Sequence, residues 1–225
     1  MCLIIKKSRG RRIASDFLEN AWQHNADGWG CFHAAQGRVV FERGLCLRTL
    51  ISHNEALPVG DEVYLHLRRA TRGDVNRDMT HPHTVRPGLL LMHNGSIDRL
   101  VPQNPARSDT FELARLLNDM LGGLSDVQAS AVIRSVGFCA LTAPLIDGSM
   151  VVLMDACGAV RLGRDWHTLS SADWSEAMDG VQVSNVHTWG QHLSAEGGPC
   201  SGCRRRTGCG RRRVWGDAPE PLYKE

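Results

Sequence analysis

The sequence predicts an α+β protein whose sheets are mainly antiparallel, and three observations predict it. Short apolar runs fill the first part of the 225-residue chain, two amphipathic helical segments follow, and strand-like runs return from Phe138 onward. Turn-forming pairs, Gln36-Gly37, Asp147-Gly148 and Cys157-Gly158 among them, punctuate those runs as hairpins require. A composition of 42% hydrophobic and 22% charged residues is that of a chain with a real core.

Taken in order, residues 2–6 read as a short buried strand. Residues 13–24 place Ile13, Phe17, Leu18, Ala21 and Trp22 at helical spacing, and the NADGWG turn at 25–30 ends that helix. Residues 31–35 and 38–42 flank the Gln-Gly pair as a hairpin. A short helix at 47–56 leads to an apolar strand at 63–67. Residues 71–87 are polar with little periodicity, and 88–92 form a strand that ends on His93-Asn94-Gly95. Ser108-Asp109-Thr110 opens a helix with Leu113, Leu116, Leu117, Met120 and Leu121 on one face, and Asp109 with Glu112 is spaced like a capping box. A second helix spans 126–135, and strands are expected at 138–141, 149–155, 159–162 and 181–184.

Length and charge bound the organisation. One main domain over 1–196 and a Cys/Arg-rich tail over 197–225 are expected, because the tail alone is basic: six arginines and one lysine against three acids leave it at +4 and the rest at −2. The opening Met-Cys-Leu-Ile-Ile-Lys-Lys has too short an apolar stretch for a signal peptide, and no later stretch matches a bilayer span. The expectation is a cytoplasmic protein with no membrane partner, and eight cysteines that serve as free thiols or metal ligands rather than as a disulfide framework. In the tail, Cys200, Cys203 and Cys209 suit a small zinc knuckle if His187, His192 or another thiol completes the set, and disordered thiols are the alternative. Arg204 to Arg206 and Arg211 to Arg213 offer a positive patch for phosphates, and hence for nucleic acid, or for a protein partner.

Four features carry chemistry. Removal of Met1 would leave Cys2 with a nucleophilic thiol and a free α-amine of pKa roughly 7.7–8.0, able to act as its general base. His66-Leu67-Arg68-Arg69-Ala70-Thr71-Arg72 closes a strand with guanidinium groups that clamp carboxylates. Asn94 and Gly95 end another strand with an amide and a backbone N–H suited to a developing oxyanion, and the Asp109 carboxylate suits a substrate ammonium. Alone, each has an ordinary structural reading: a buried cysteine, a solvated basic strand end, an Asn-Gly turn, a helix cap. Their order, nucleophile, carboxylate clamp, oxyanion donors, ammonium acceptor, describes a glutamine site.

The chain resembles the class II glutamine amidotransferases over residues 2–184. Members begin at a catalytic cysteine and carry HxRxAT, HP, HNG and SDT-like motifs, here His66 to Thr71, His81-Pro82, His93 to Gly95 and Ser108 to Thr110. NADGWG is similar to the DGWG-bearing branch of that family, which includes stand-alone amidases of γ-glutamyl compounds. The resemblance implies a four-layer αββα sandwich of the N-terminal nucleophile hydrolase type. It implies Cys2 as nucleophile, Arg68 and Thr71 on the substrate α-carboxylate, Asn94 and Gly95 as oxyanion hole and Asp109 on the α-ammonium. It also implies glutaminase chemistry with no required cofactor. Where relatives often have tryptophan and histidine, this chain has Arg69 and Arg72. With no P-loop or dinucleotide fingerprint in the chain, the expected role is to supply ammonia from glutamine to a separate synthetase subunit. The alternatives are a stand-alone γ-glutamyl amide hydrolase using the same residues, and a non-catalytic binding protein acting through its tail.

Overall fold

A computed structural model describes residues 2–189 of the chain. The expected tail, with Cys200, Cys203, Cys209 and both arginine runs, lies outside the described residues, as do Met1, His192 and the expected domain boundary. The described elements are β1 (Leu3–Lys7), α1 (Ser15–His24), β2 (Trp29–Ala35), β3 (Arg38–Gly44), α2 (Leu47–Ala56), β4 (Val63–Leu67), β5 (His83–Arg86) and β6 (Leu89–Asn94). They continue with α3 (Asp109–Leu121), α4 (Asp126–Ile133), α5 (Val136–Thr142), β7 (Met150–Asp155), β8 (Gly158–Gly163), β9 (His167–Thr168) and β10 (Gln182–Val183). One sheet has the order β3-β2-β4-β1-β10-β9 and the other β5-β6-β7-β8, and every pairing is antiparallel. Among the described residues no helix is long and apolar enough to cross a membrane.

Alternation along the strands explains where the apolar surface goes. From β1, Leu3 and Ile5 join Phe17, Leu18 and Ala21 of α1 and Leu50 of α2 in one core, whereas Ile4 turns the other way. Leu89 and Leu91 of β6 and Val151 and Leu153 of β7 meet Leu113 and Leu117 of α3, Ile133 of α4 and Phe138 of α5. Leu90, Met92, Val152 and Met154 pack with Ile4, Phe32 and Tyr64 of the first sheet in a third core. Strands buried on both faces read as continuous apolar runs, which is how Leu89 to Met92 and Val151 to Met154 look in the sequence.

The structure corrects several expectations. Residues 138–141 are not a strand but the centre of α5, because the Ser135 hydroxyl caps the Phe138 N–H at 3.1 Å and starts a helical turn. A four-residue apolar run has no period by which to tell the two apart. Ser108, not Asp109, caps α3, accepting from Phe111 N–H, and Asp109 is its first helical residue. Helix α4 stops at Ile133, β2 already begins at Trp29 inside the expected turn, and β5 lies in the segment read as non-periodic. The Gln36-Gly37 turn stands as expected, both residues having positive φ (51° and 73°).

Candidate active site

Three strand ends converge. Cys2 leads into β1, Arg68 follows β4, and β6 ends at Asn94; β1 and β4 are neighbours, and β6 belongs to the opposite sheet. A cavity of about 30 Å³ between them is lined by Cys2, Arg68 to Arg72, His81, His93, Gly95 and Ser108 to Thr110. That exceeds the roughly 10–15 Å³ of such space that one water molecule needs. Of the six residues expected at a glutamine site, Cys2, Arg68, Thr71, Gly95 and Asp109 are on this lining, whereas Asn94 lies behind it, fully buried.

The Cys2 thiol sits on the backbone of Arg69, accepting from its N–H and donating to its carbonyl, both at 3.4 Å. Burial raises the thiol pKa above its ordinary value, and the Arg69 N–H and the Arg68 charge work the other way. A base is therefore needed to generate the thiolate near neutral pH. Asn185 donates its side-chain N–H to the Cys2 carbonyl at 2.8 Å.

Asp27 explains the NADGWG segment. Its carboxylate accepts the Ala70 N–H at 2.9 Å, its own N–H donates to the Arg68 carbonyl, and Arg68 N–H donates to the Gly28 carbonyl. The turn thus pins the stretch on which the thiol rests. Gly30 has no room for a side chain, since a Cβ there would stand 1.8 Å from the His81 carbonyl oxygen.

Asn94 shares the face of β6 that holds Leu90 and Met92, between the sheets, and donates to Ser184 Oγ at 2.7 Å. Ser184 Oγ also accepts Ile4 N–H at 2.8 Å, and Ser184 N–H returns a bond to the Ile4 carbonyl. One hydroxyl so ties the amide of one sheet to the first strand of the other. Gly95 follows at φ 145°, where a Cβ would meet Ser149 Oγ at 2.2 Å. The Asp109 carboxylate accepts Ile97 N–H and Thr110 N–H, each at 2.8 Å, one on either oxygen. Arg68 is 3% exposed; its Nη1 donates to the Asp74 carbonyl at 2.8 Å and its Nη2 to the Arg72 carbonyl at 3.1 Å.

Four buried histidines cluster at the cavity, His81 and His93 on its lining. The rings of His66 and His81 are 3.9 Å apart and those of His81 and His83 4.9 Å, and His66 Nε2 lies 3.2 Å from the His93 carbonyl oxygen. His93 Nδ1 is 2.9 Å from Thr110 Oγ1. Burial depresses all four, His83 to about 3, and Arg68 adds to the effect on His66, His81 and His83. They are neutral at pH 7. Among the described residues no group of three or more histidine, cysteine or acidic side chains is arranged to hold a metal.

Sequence reasoning missed Ser184, Asn185, Asp27 as a backbone clamp and the stacking of the histidines. His66, His81 and His93 are visible in the motifs, but their meeting depends on the two sheets facing each other. Nor does size mark the site. A mainly apolar cavity of about 540 Å³ opens at the other end of β6, between Val39, Leu89, Val127 and Cys157.

No protein-family model matches the chain, and no curated protein does. Among solved structures it is similar to one described as the allosteric regulatory enzyme of purine biosynthesis, with a TM-score of 0.42, 17% identity, and coverage of 69% of this chain and 36% of that one. It is similar also to glutamine phosphoribosylpyrophosphate amidotransferase from B. subtilis complexed with ADP and GMP, with a TM-score of 0.40, 17% identity, and coverage of 69% and 35%. The chain spans about a third of the length of each.

Proposed function

We propose that this chain is a class II glutamine amidotransferase of the DGWG-bearing branch, hydrolysing the side-chain amide of glutamine through a thioester on Cys2 and passing ammonia to a partner synthetase. One observation carries the reading: a thiol, arginine side chains, the backbone of Gly95 and a carboxylate from four separate segments line a single small cavity. The three cores, helices on sheet, sheet on sheet, sheet on helices, support the αββα order of an N-terminal nucleophile hydrolase.

With Met1 removed, the Cys2 α-amine takes the thiol proton and the thiolate attacks the amide carbon of glutamine. Negative charge then builds on the former carbonyl oxygen. Gly95 N–H and the second N–H of the Asn94 amide are its donors, and Ser184 holds that amide in place through the first. Collapse of the intermediate breaks the C–N bond, and the leaving nitrogen takes the proton from the α-ammonium and departs as ammonia. Water, deprotonated by the same amine, hydrolyses the thioester to glutamate and restores the thiol. Asp109 faces the substrate α-ammonium, and its two backbone donors orient it.

Intact-protein mass spectrometry before and after treatment with a diazo-ketone analogue of glutamine, followed by peptide mapping, tests this directly. The expected result is loss of Met1, one adduct on Cys2, and ammonia release from glutamine by the untreated protein. Retained Met1 with no adduct overturns it. Parallel assays on γ-glutamyl conjugates separate glutamine from other γ-glutamyl amides as the preferred substrate.

A further inference from the structure

Removal of Met1 would leave Cys2 joined to the sheet by a single peptide bond, because the pairing of β1 with β4 begins one residue later, at Leu3 opposite Leu67. Nothing covalent beyond the Cα would then aim its α-amine, and a general base works only within hydrogen-bond reach of the proton it takes. The placement has to come from the other two arms of that Cα. The sulfur is held by the Arg69 backbone at 3.4 Å, and the carbonyl accepts from Asn185 Nδ2 at 2.8 Å. With those two arms fixed, the handedness of the Cα leaves one position for the amine.

Asn185, two residues past β10, is built into its contact. Its Oδ1 accepts His187 N–H and Thr188 N–H, each at 3.0 Å, and the Thr188 hydroxyl at 2.9 Å. An oxygen that faces three donors fixes which end of the amide is which, so the nitrogen must face the Cys2 carbonyl. Trp189 Nε1 donates to the Asn185 carbonyl at 2.8 Å, which ties down the backbone as well. The Thr188 carbonyl accepts Asn25 Nδ2 at 2.7 Å, and the same nitrogen donates to the Ala21 carbonyl at 2.9 Å from a fully buried position. The NADGWG segment thus reaches both arms of Cys2: Asp27 through Ala70 N–H beside Arg69, and Asn25 through Thr188 and Asn185.

We propose that Asn185 is a positioning residue for the general base: by holding the Cys2 carbonyl it aims the α-amine at the thiol, and Thr188 and Asn25 hold Asn185 in place. The assignment rests on the amidase reading above and names what fixes its base.

Ammonia release from glutamine, followed across pH in full-length chains whose intact mass shows Met1 gone, tests it. Asn185→Asp keeps an oxygen for the His187 and Thr188 donors and loses the N–H on the Cys2 carbonyl. It is expected to lower kcat roughly 10- to 100-fold with KM for glutamine nearly unchanged. Its new carboxylate favours the ammonium form of the nearby amine, so the acid limb of kcat/KM should move to higher pH. Arg68 and Asp109, the charged side chains already acting on Cys2, are the same in both proteins. Thr188→Val is close to isosteric, removes one of the three donors that orient Asn185, and should lower kcat roughly 2- to 5-fold, again at constant KM. Thermal melts establish which variants fold, and Thr188→Val decides the matter if Asn185→Asp does not. A wild-type kcat, a loss carried by KM, or an unmoved acid limb in Asn185→Asp overturns the positioning role while Cys2 still takes the diazo-ketone adduct. A wild type that gains no adduct and releases no ammonia overturns the amidase reading, and this proposal with it.

Discussion

Cys2 leads into β1 and Cys31 lies on β2, two strands away in one sheet, and the cysteine with the better-looking partner is not the one on the candidate site's lining. Cys31 Sγ is 2.8 Å from His53 Nε2, the kind of thiol–imidazole contact that marks a nucleophile and its base. Yet Cys31 is 1% exposed among Trp29, Leu50 and Leu65, and burial pushes its thiol up to about 12 while also lowering His53. The directions of both shifts favour the neutral pair, and the sulfur is shielded from solvent. The Cys2 sulfur has its hydrogen bonds to the Arg69 backbone rather than to an imidazole; it has a cavity, the Arg68 charge nearby and Asp109 on the same lining. Access and groups that answer charge matter more than a short S···N distance.

The comparison breaks most sharply at the sulfurs. Cys2→Ala is expected to lower ammonia release roughly 10⁴-fold or more, whereas Cys31→Ala leaves it intact; the reverse pattern would exchange the two roles. One step outward, Asn94→Ala should cost roughly 10²- to 10³-fold in kcat. Ser184→Ala, which removes only the group holding that amide, should cost roughly 5- to 10-fold, so an equal loss in both variants would mean that Asn94 acts structurally.

The histidines behind Cys2 sharpen the contrast through pH. Their folded pKa values lie below the ordinary 6.5, so below that pH the unfolded chain binds protons that the folded one refuses. Their stability contribution is complete above about pH 6.5 and falls as pH drops toward the folded values, near 3 for His83, by about 1.4 kcal/mol per histidine per pH unit. Thermal melts from pH 7.5 to 5 should show a steep fall in Tm, shallower in His83→Phe; a flat profile would show that these rings already titrate normally. Smallest of all, Cys31→Ala should destabilise by roughly 1 to 2 kcal/mol in denaturant melts, the cost of a trimmed side chain and an orphaned His53 nitrogen.

Much of this was legible. Helix 47–56 and strand 63–67 agree with the structure to the residue, because a period of 3.6 or an apolar run bounded by turns is a local signal. The failures lie where locality ends. Phe138 to Leu141 was ambiguous until Ser135 capped it, and β5 and the two-residue β9 owe their existence to neighbours across the sheet. At the site, the motifs brought Cys2, Arg68, Thr71, Gly95 and Asp109 to one cavity, but a motif says which residues gather and not what each nitrogen touches. Hence Arg68 proved to hold carbonyls and Asn94 to lie behind the lining. Ser184 and Asn185 carry no local signal, since their roles come from partners about 180 residues earlier.

That separation sets a timetable for synthesis. β1 leaves the ribosome before β10, Ser184 and Asn185, which flank it and fasten the Cys2 carbonyl about 180 residues later. At translation rates of roughly 5 to 20 residues per second, the N-terminal segment waits about ten to forty seconds for those partners. During that interval the Cys2 carbonyl and the Asn94 amide lack the side chains that hold them. A chain truncated before Ser184 would carry every motif of the site without the side chains that fasten Cys2 and Asn94.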